Sequence, residues 1–299
     1  MPNIAFRGNK TYQPWYVLRF ILNQINHKIA RRNVQKFPQL AIFSFDNIGL
    51  TINLEGRYES DILDALSRFL TQHLHVDANA AAIDVGANIG NHSVFFSEIF
   101  GKVYAFEPNP QAYYLLKYNS AGSNIVPLNY GLSNENSTLA FFIDRLNLGG
   151  SKVIDECTNP GTPNSNTIVI EVRRLDDDLQ IKNQAISLIK IDVEGHELQV
   201  LKGAVKLIKA AQPVIVFEQG EHAISEGTSD VIDFLRERNY RFFTIQSNFH
   251  LGHGYAARFI ALFLRLIFGF RKDIVSTDHF EKKFYEMIIA VPEGGAYQG

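Results

Sequence analysis

The sequence of 299 residues has little cysteine and no apolar run long enough to cross a membrane. Its one cysteine, Cys157, cannot form an internal disulfide or supply a cysteine-based zinc site. Residues 259–270 are the most apolar stretch, but Arg265 interrupts them and a bilayer needs ~20 apolar residues. The apolar run at residues 15–22 is interrupted by Arg19 and precedes no small-residue cleavage site. We therefore expect an intracellular, cytoplasmic protein.

Acidic residues are missing from two flanks of an otherwise acidic chain. Residues 1–45 contain seven Lys or Arg and no acid, and residues 238–272 contain six and again no acid. The segment between them, residues 46–237, has a net charge of −12. Such a body repels phosphates, so no nucleic-acid partner is expected. Within both flanks, at residues 15–32 and 256–272, apolar residues occur at helical spacing beside the basic ones. They predict either peripheral membrane contact or lipid-substrate docking, or a packing face for the sheet or a second subunit.

From residue 80 onward, short apolar segments alternate with helical segments of about ten residues; among them, strands are predicted over 139–144 and 167–172 and a helix over 197–210. This alternation predicts βαβ units and a doubly wound, Rossmann-like α/β sheet that is mostly parallel. We assign residues 80–299 to one domain. Residues 1–79 are predicted to be an N-terminal helical extension, with helices over 15–30 and 59–74 and a small hairpin over 43–54.

The turn after the first predicted strand is the most informative stretch of the sequence. An apolar strand ends near Asp84, and a loop containing Gly86 and Gly90 then opens a helix. Such turns face the ligand pocket of an open α/β sheet. A dinucleotide fingerprint needs glycine where Asn88 and Asn91 stand, and no Gly-Lys-Ser/Thr follows for a phosphate loop. Two interpretations of the pattern remain. The turn binds a nucleoside that carries an amino acid, or it binds no ligand.

The end of the second predicted strand favours the ligand. Glu107 lies 17 residues after Gly90, and Pro108 follows it directly. A carboxylate at this strand end can accept hydrogen bonds from both hydroxyls of a ribose. The two strand ends together predict a nucleoside-binding site.

Three motifs in this order resemble the FkbM family of S-adenosylmethionine-dependent methyltransferases. They are DVGANIGNH at 84–92, FEPN at 106–109, and IKIDVEG at 189–195 with LKG at 201–203. The wider methyltransferase pattern has a glycine at the position of Asn88, and asparagine there is typical of FkbM-like sequences. The resemblance covers about residues 83–218. It implies a class I methyltransferase sheet with an antiparallel last strand.

The resemblance also implies the cofactor and the reaction. S-adenosyl-L-methionine would be the methyl donor, and a hydroxyl of a sugar, glycolipid or natural product would be the acceptor. N-methylation and a non-catalytic nucleoside-binding or nucleotide-binding protein remain the alternatives. The cofactor residues implied by the resemblance are Asp84, Gly86, Asn88, Gly90, Glu107, Asn129, Leu132, Ser133 and Asp192.

A turn rich in ionisable residues follows the fourth predicted strand and points to the same edge. The candidate catalytic residues there are Asp192, Glu194 and His196. A hydroxyl acceptor must lose its proton when it attacks, so a base at this rim is expected, and Asp192 is the strongest candidate. A cation held by these carboxylates is the alternative, but no metal ligands are assigned. Weaker candidates near this edge are His92, Glu218, His222 and residues 148–151.

Overall fold

A computed structural model describes residues 15–144, 147–154, 166–247 and 271–294, together with Ile260, Leu264, Ile267 and Gly269. Cys157 and most of the basic segment at 256–272 lie outside these described residues. Within the described part, no helix is both long and apolar enough to traverse a lipid bilayer.

An eight-stranded sheet forms the centre of the protein, in the order β11-β10-β12-β9-β8-β1-β2-β3. Its strands are β1 (Ala81–Val85), β2 (Lys102–Phe106), β3 (Ile125–Leu128), β8 (Ile186–Ile191), β9 (Val214–Gln219), β10 (Tyr240–Ser247), β11 (Lys272–Ser276) and β12 (Tyr285–Pro292). The five strands from β3 to β9 in this order are parallel, and β12 runs antiparallel to both β9 and β10. The predicted doubly wound sheet and its antiparallel last strand are confirmed.

Helices cover both faces of the sheet, which is why its central strands are apolar throughout. Every residue of β1 and β8 is buried. Ile83 and Ile189 pack with helices α6 (Glu197–Lys202), α7 (Val205–Ala211) and α8 (Asp230–Arg236). Ala82 and Leu188 point to the opposite face, against α3 (Ser60–Arg68), α4 (Asn91–Ser97) and α5 (Pro110–Asn119).

The N-terminal segment is helical, and its predicted hairpin is wrong. Helices α1 (Tyr16–Asn33) and α2 (Asn47–Glu55) precede α3. The side chain of Asp46 accepts a hydrogen bond from the Ile48 amide and so caps the start of α2, where the sequence suggested a hairpin turn. Gly56 ends α2 in a left-handed conformation with φ 89°. The apolar face of α3 packs on the sheet, so part of the predicted extension contributes to the core.

A second, smaller sheet is inserted between β3 and β8. Its order is β4-β7-β5-β6, with β4 (Gly131–Leu132), β5 (Ser137–Phe142), β6 (Lys152–Ile154) and β7 (Thr167–Arg173). The strands predicted at 139–144 and 167–172 are therefore present, but they pair outside the main sheet. This small sheet has its own apolar cluster around Phe141 and Ile170, and it overlies the carboxyl edge of the main sheet.

The helix predicted over 197–210 is two helices, because the chain turns at Gly203. A Cβ atom at Gly203 would collide with the carbonyl oxygen of Ser133. The glycine therefore lets the α6–α7 turn approach the segment after β4 closely. This contact gives a structural reason for the LKG motif at residues 201–203.

Candidate active site

A cavity that is partly open to solvent lies at the carboxyl edge of the parallel strands, where α/β folds bind their ligands. The empty space between its lining atoms, open solvent included, is about 940 Å³. The turns after β1, β2 and β8 form its floor, and β4–β7 of the small sheet cover it. Ile48 of α2 and Tyr58 close it from the N-terminal segment. The cavity therefore combines elements that are distant in the sequence.

Two glycines shape the turn after β1, and one of them lies on the cavity floor. Gly86 has a φ of +76°, and a Cβ atom there would collide with the carbonyl oxygen of Asp192. The turns after β1 and β8 can therefore touch only because residue 86 has no side chain. Gly90 has a φ of +92° and lies against the side chain of Leu116 in α5, so it allows α4 to begin close to α5.

Asn88 lies between the two glycines and lines the cavity. It adopts a left-handed conformation with φ 49°, which asparagine tolerates better than most residues. Its side-chain oxygen is buried and has no hydrogen-bond partner among the described residues. A buried acceptor of this kind is costly unless a ligand donates to it.

Glu107 is a buried carboxylate at the end of β2. One oxygen accepts a hydrogen bond from the Asn88 amide at 2.8 Å, and the other accepts from the Asn109 amide at 2.7 Å. Burial raises the pKa of Glu107 to about 7, although these amides and the Lys190 charge oppose the shift. Each oxygen keeps a second acceptor position, so the carboxylate can still receive ligand hydroxyls.

Lys190 is a buried lysine in β8 that was not predicted to belong to the site. Its ammonium nitrogen lies 3.3 Å from Asp84, 3.2 Å from Asp192 and 3.3 Å from the carbonyl oxygen of Gly86. Burial opposes the charged form, but the two aspartates outweigh it and raise the pKa of Lys190. The presence of a lysine in the IKIDVEG motif was the one sequence feature that could have indicated its role. The fold shows that this lysine joins the ends of β1 and β8.

The acidic turn after β8 presents its side chains in different directions. Asp192 and His196 line the cavity, while Glu194 is exposed beside a neighbouring groove. His196 has its Nε2 atom 2.9 Å from the hydroxyl of Ser133. Glu197 is buried and accepts a hydrogen bond from the Gly195 amide, which closes the turn. Glu197 therefore has a structural role.

A second wall comes from the segment before α3, which contains none of the predicted site residues. Tyr58 lines the cavity, and burial together with nearby carboxylates raises its pKa. Glu59 lies 3.0 Å from the Nε2 atom of His92, and this pairing lowers the pKa of Glu59 against the effect of burial. His92 also lines the cavity, whereas His222 is highly exposed. Residues 147–151, which we call the strap, complete this wall through Leu148, Gly149 and Ser151.

Three carboxylates meet at the edge of the cavity, where Asp192 lines it. Oxygens of Asp192, Glu194 and Glu218 lie within 4.8 Å of one another. Burial, followed by the charges of Asp192 and Glu194, raises the pKa of Glu218 to about 9. Glu218 is thus protonated at neutral pH and relieves the repulsion among the three groups.

The structure brings six of the predicted site residues onto the cavity wall: Gly86, Asn88, Glu107, Leu132, Asp192 and His196. Five others lie off the wall: Asp84, Gly90, Asn129, Ser133 and Glu194. Asp84 is fully buried beneath the turn, where it accepts a hydrogen bond from Ser93 at 2.6 Å. Asn129 donates to the backbone oxygen of Glu107, and Ser133 contacts His196. Asp84, Asn129 and Ser133 therefore support wall residues from behind.

Known methyltransferases resemble part of this chain. The sequence is 34% identical over 138 residues to the hexuronic acid methyltransferase AglP of Haloferax volcanii, covering 44% of this chain and 53% of that protein. It is 30% identical over 160 residues to the methyltransferase sdnD of Sordaria araneosa, covering 43% of this chain and 62% of that protein. The chain thus spans between half and two thirds of the curated relatives it matches.

A solved structure of methyltransferase FkbM from Methylobacillus flagellatus KT matches with 20% identity and a TM-score of 0.35, covering 68% of this chain and 50% of that one. The sequence profile of the FkbM methyltransferase domain matches residues 84–242, which is more than half of the chain. These residues run from the end of β1 into β10 and contain Glu107 and Asp192. The chain therefore belongs to the FkbM methyltransferase domain family.

Proposed function

We propose that this protein transfers the methyl group of S-adenosyl-L-methionine to a hydroxyl of a sugar, glycolipid or natural-product acceptor. The observation that carries the proposal is the shared cavity. In this cavity Gly86, Asn88 and Glu107, which suit a nucleoside ligand, lie on the same wall as Asp192 and His196. A cofactor held by the first group would present its reactive end to the second.

The floor residues fit this cofactor, which is the methyl donor of the family. Glu107 offers two oxygens to the ribose hydroxyls, and the unpartnered oxygen of Asn88 offers an acceptor to an ammonium or hydroxyl group. Gly86 keeps the turn free of a side chain. Pro108 and Leu132 supply an apolar slot for the adenine ring, with Asn129 and Ser133 holding the segments behind it.

The bound cofactor supplies an electrophilic methyl group, so the protein must position the acceptor and receive a proton. We assign the proton to Asp192, which is half-buried at the end of β8 and faces the cavity. Lys190 fixes this carboxylate from the other side. Ser133 orients His196, which we assign a secondary role in binding the acceptor. Glu194 lies close to Asp192 at the edge of the cavity, whereas the protonated Glu218 beside them adds no charge.

The small-molecule nature of the acceptor is supported by the relative named for hexuronic acid methylation and by an acidic body that disfavours nucleic acid. An N-methylated acceptor is the alternative at the same site. The single cysteine supports a reducing, cytoplasmic location, and the basic flanks support peripheral contact with a membrane.

Calorimetric titration with S-adenosylhomocysteine tests the cofactor assignment. We expect micromolar binding that Glu107→Ala weakens by more than about 100-fold, because two charge-assisted hydrogen bonds are lost. Glu135→Ala, at an exposed position, is the matched control and leaves binding unchanged. A protein that binds nothing at millimolar concentration is not a methyltransferase of this type. Labelled methyl transfer to a panel of hydroxyl and amine acceptors then separates O-methylation from N-methylation and from binding alone.

A further inference from the structure

Helix α1 is the most exposed apolar element among the described residues. None of its 18 residues is buried. Trp15, Leu18, Leu22 and Ile25 follow the spacing of one helix face, and each side chain is about half exposed or more. The apolar residues between them, Tyr16, Val17, Phe20 and Ile21, are about half exposed or more as well and widen the apolar surface at the start of the helix. Contiguous apolar patches on a protein surface mark interaction sites, so we expect a partner to cover this face of α1.

The charges around this face have one sign. Arg19 and Lys28 flank the apolar stripe on opposite sides, and Arg31 and Arg32 occupy its last turn. The sequence contains no acid from residue 1 to residue 45, whereas the segment from residue 46 to residue 237 is strongly acidic. The partner of this helix must therefore accept both apolar side chains and several positive charges.

Helix α2 links this face to the cavity. Asn33, the last residue of α1, donates hydrogen bonds to the backbone oxygens of Asn53 and Leu54 in α2. Leu54 is itself exposed, and α2 places Ile48 on the cavity wall. A surface bound by α1 would thus lie one helix away from the site of the proposed reaction.

We propose that α1 is a docking element for the anionic surface of a lipid membrane. Basic amphipathic helices lie in the plane of such interfaces, with the apolar face among the acyl chains and the cations at the headgroups. A second copy that paired through its own α1 would bring like charges together. An orientation in which α1 enters the membrane end-on is also disfavoured. The free energy needed to place Arg19 in the hydrocarbon core is at least as large as the free energy gained by burying one leucine. The helix, ~27 Å long, lies flat instead.

Co-sedimentation of the whole protein with vesicles tests this proposal independently of any methyl transfer. The vesicles are pure phosphatidylcholine or phosphatidylcholine with about 30% phosphatidylglycerol, an anionic fraction that gives a strong surface potential. We expect the protein in the pellet with anionic vesicles at low salt. We expect it in the supernatant with neutral vesicles, and with anionic vesicles once salt screens the attraction.

Two variants separate the apolar and the basic contributions. Replacing Leu18, Leu22 and Ile25 by Ser should weaken partitioning by more than about tenfold, because the buried apolar area is lost. Arg31→Glu with Arg32→Glu should weaken it by about 25-fold or more, since each cation contributes roughly fivefold. Leu179→Ser, at an exposed apolar position of the body, is the control and should bind as the parent does. These positions are exposed, so the variants are expected to fold.

Two outcomes overturn the proposal. One is equal recovery in the supernatant with neutral and anionic vesicles at low salt. The other is a triple serine variant that changes the molecular mass in solution, measured by light scattering, while vesicle binding by the parent is absent. The second result would show that a copy of the chain covers α1.

Discussion

The ammonium nitrogen of Lys190 lies 3.2 Å from the carboxylate of Asp192, at the point where the turns after β1 and β8 meet. The lysine side chain is only 5% exposed, and its other carboxylate partner, Asp84, is fully buried. Because Gly86 also contacts this lysine through its carbonyl oxygen, one buried cation holds the cofactor side and the acceptor side together.

Replacing Lys190 by Met should therefore lower stability sharply. The substitution leaves two carboxylates without their cation in a buried site, which typically costs about 3–5 kcal/mol. Urea unfolding followed by circular dichroism measures the free energy of unfolding. Lys209→Met, at an exposed position of α7, is the matched control and should change it by less than about 0.5 kcal/mol. Equal midpoints for the two variants would show that the ion pairs contribute nothing.

Gly86→Ala should impair both folding and cofactor binding. The new Cβ would collide with the carbonyl oxygen of Asp192, so the turns after β1 and β8 must separate. Gly122→Ala is a close control, because Gly122 has nearly the same φ, +77°, and nothing lies within 4 Å of the position that its new methyl group would take. The control should cost about 1 kcal/mol from backbone strain alone. We expect S-adenosylhomocysteine binding to fall more than about tenfold in Gly86→Ala only, measured by calorimetry.

Much of the fold was predictable because parallel strands that are buried on both faces read as short apolar runs. The strands ending at Asp84, Glu107 and Asp192 were located in this way, and with them the edge that carries the cavity. The region before residue 60 was harder to predict. Asp46-Asn47 suits either a hairpin turn or a helix cap, and the packing of α2 against the strap at 147–151 decides between them: Asp46 also accepts a hydrogen bond from the Leu148 amide.

The part of the site that could not be predicted depends on contacts between distant segments. Lys190 was read as a member of a strand, and only the alignment of β1 with β8 places it between two aspartates. Tyr58 lies at the cavity because the side-chain amide of Asn91, in α4, holds its backbone: it accepts a hydrogen bond from the Tyr58 amide and donates one to the Tyr58 carbonyl oxygen. Local residue spacing predicts neither the contact between β1 and Lys190 nor the hydrogen bonds between Asn91 and Tyr58. In each case the contacting segments lie 33 or more residues apart in the sequence.

Cofactor binding should strengthen as pH rises through about 7. The pKa of Glu107 is raised by burial to about 7, so below that pH the group is protonated and accepts ribose hydroxyls poorly. The same shift means that the folded protein holds this proton more tightly than the unfolded chain. The contribution of Glu107 to stability is therefore full below its ordinary pKa and declines as pH rises toward 7.

Calorimetric affinities for S-adenosylhomocysteine between pH ~5.5 and ~8.5 measure this effect, since the range brackets the raised pKa of Glu107. In Glu107→Gln the affinity should be low and flat across the range, because glutamine does not titrate. Glu135→Gln is the control and should keep the pH dependence of the parent. A parent profile that is already flat would assign the ribose to another group.

The roles assigned to Asp192 and His196 predict different kinetic losses. Asp192→Asn keeps the shape of the side chain but removes the proton acceptor, so turnover should fall about 10²–10⁴-fold. His196→Ala should mainly raise the KM of the acceptor, because we assign the histidine to acceptor binding. Ser133→Ala, which removes the 2.9 Å partner of His196, should give a milder version of the same change. Asp192→Asn also weakens the contact with Lys190, so S-adenosylhomocysteine binding must be shown to persist in that variant. Parent-like turnover in Asp192→Asn, together with loss of turnover in His196→Ala, would assign the proton to the histidine instead.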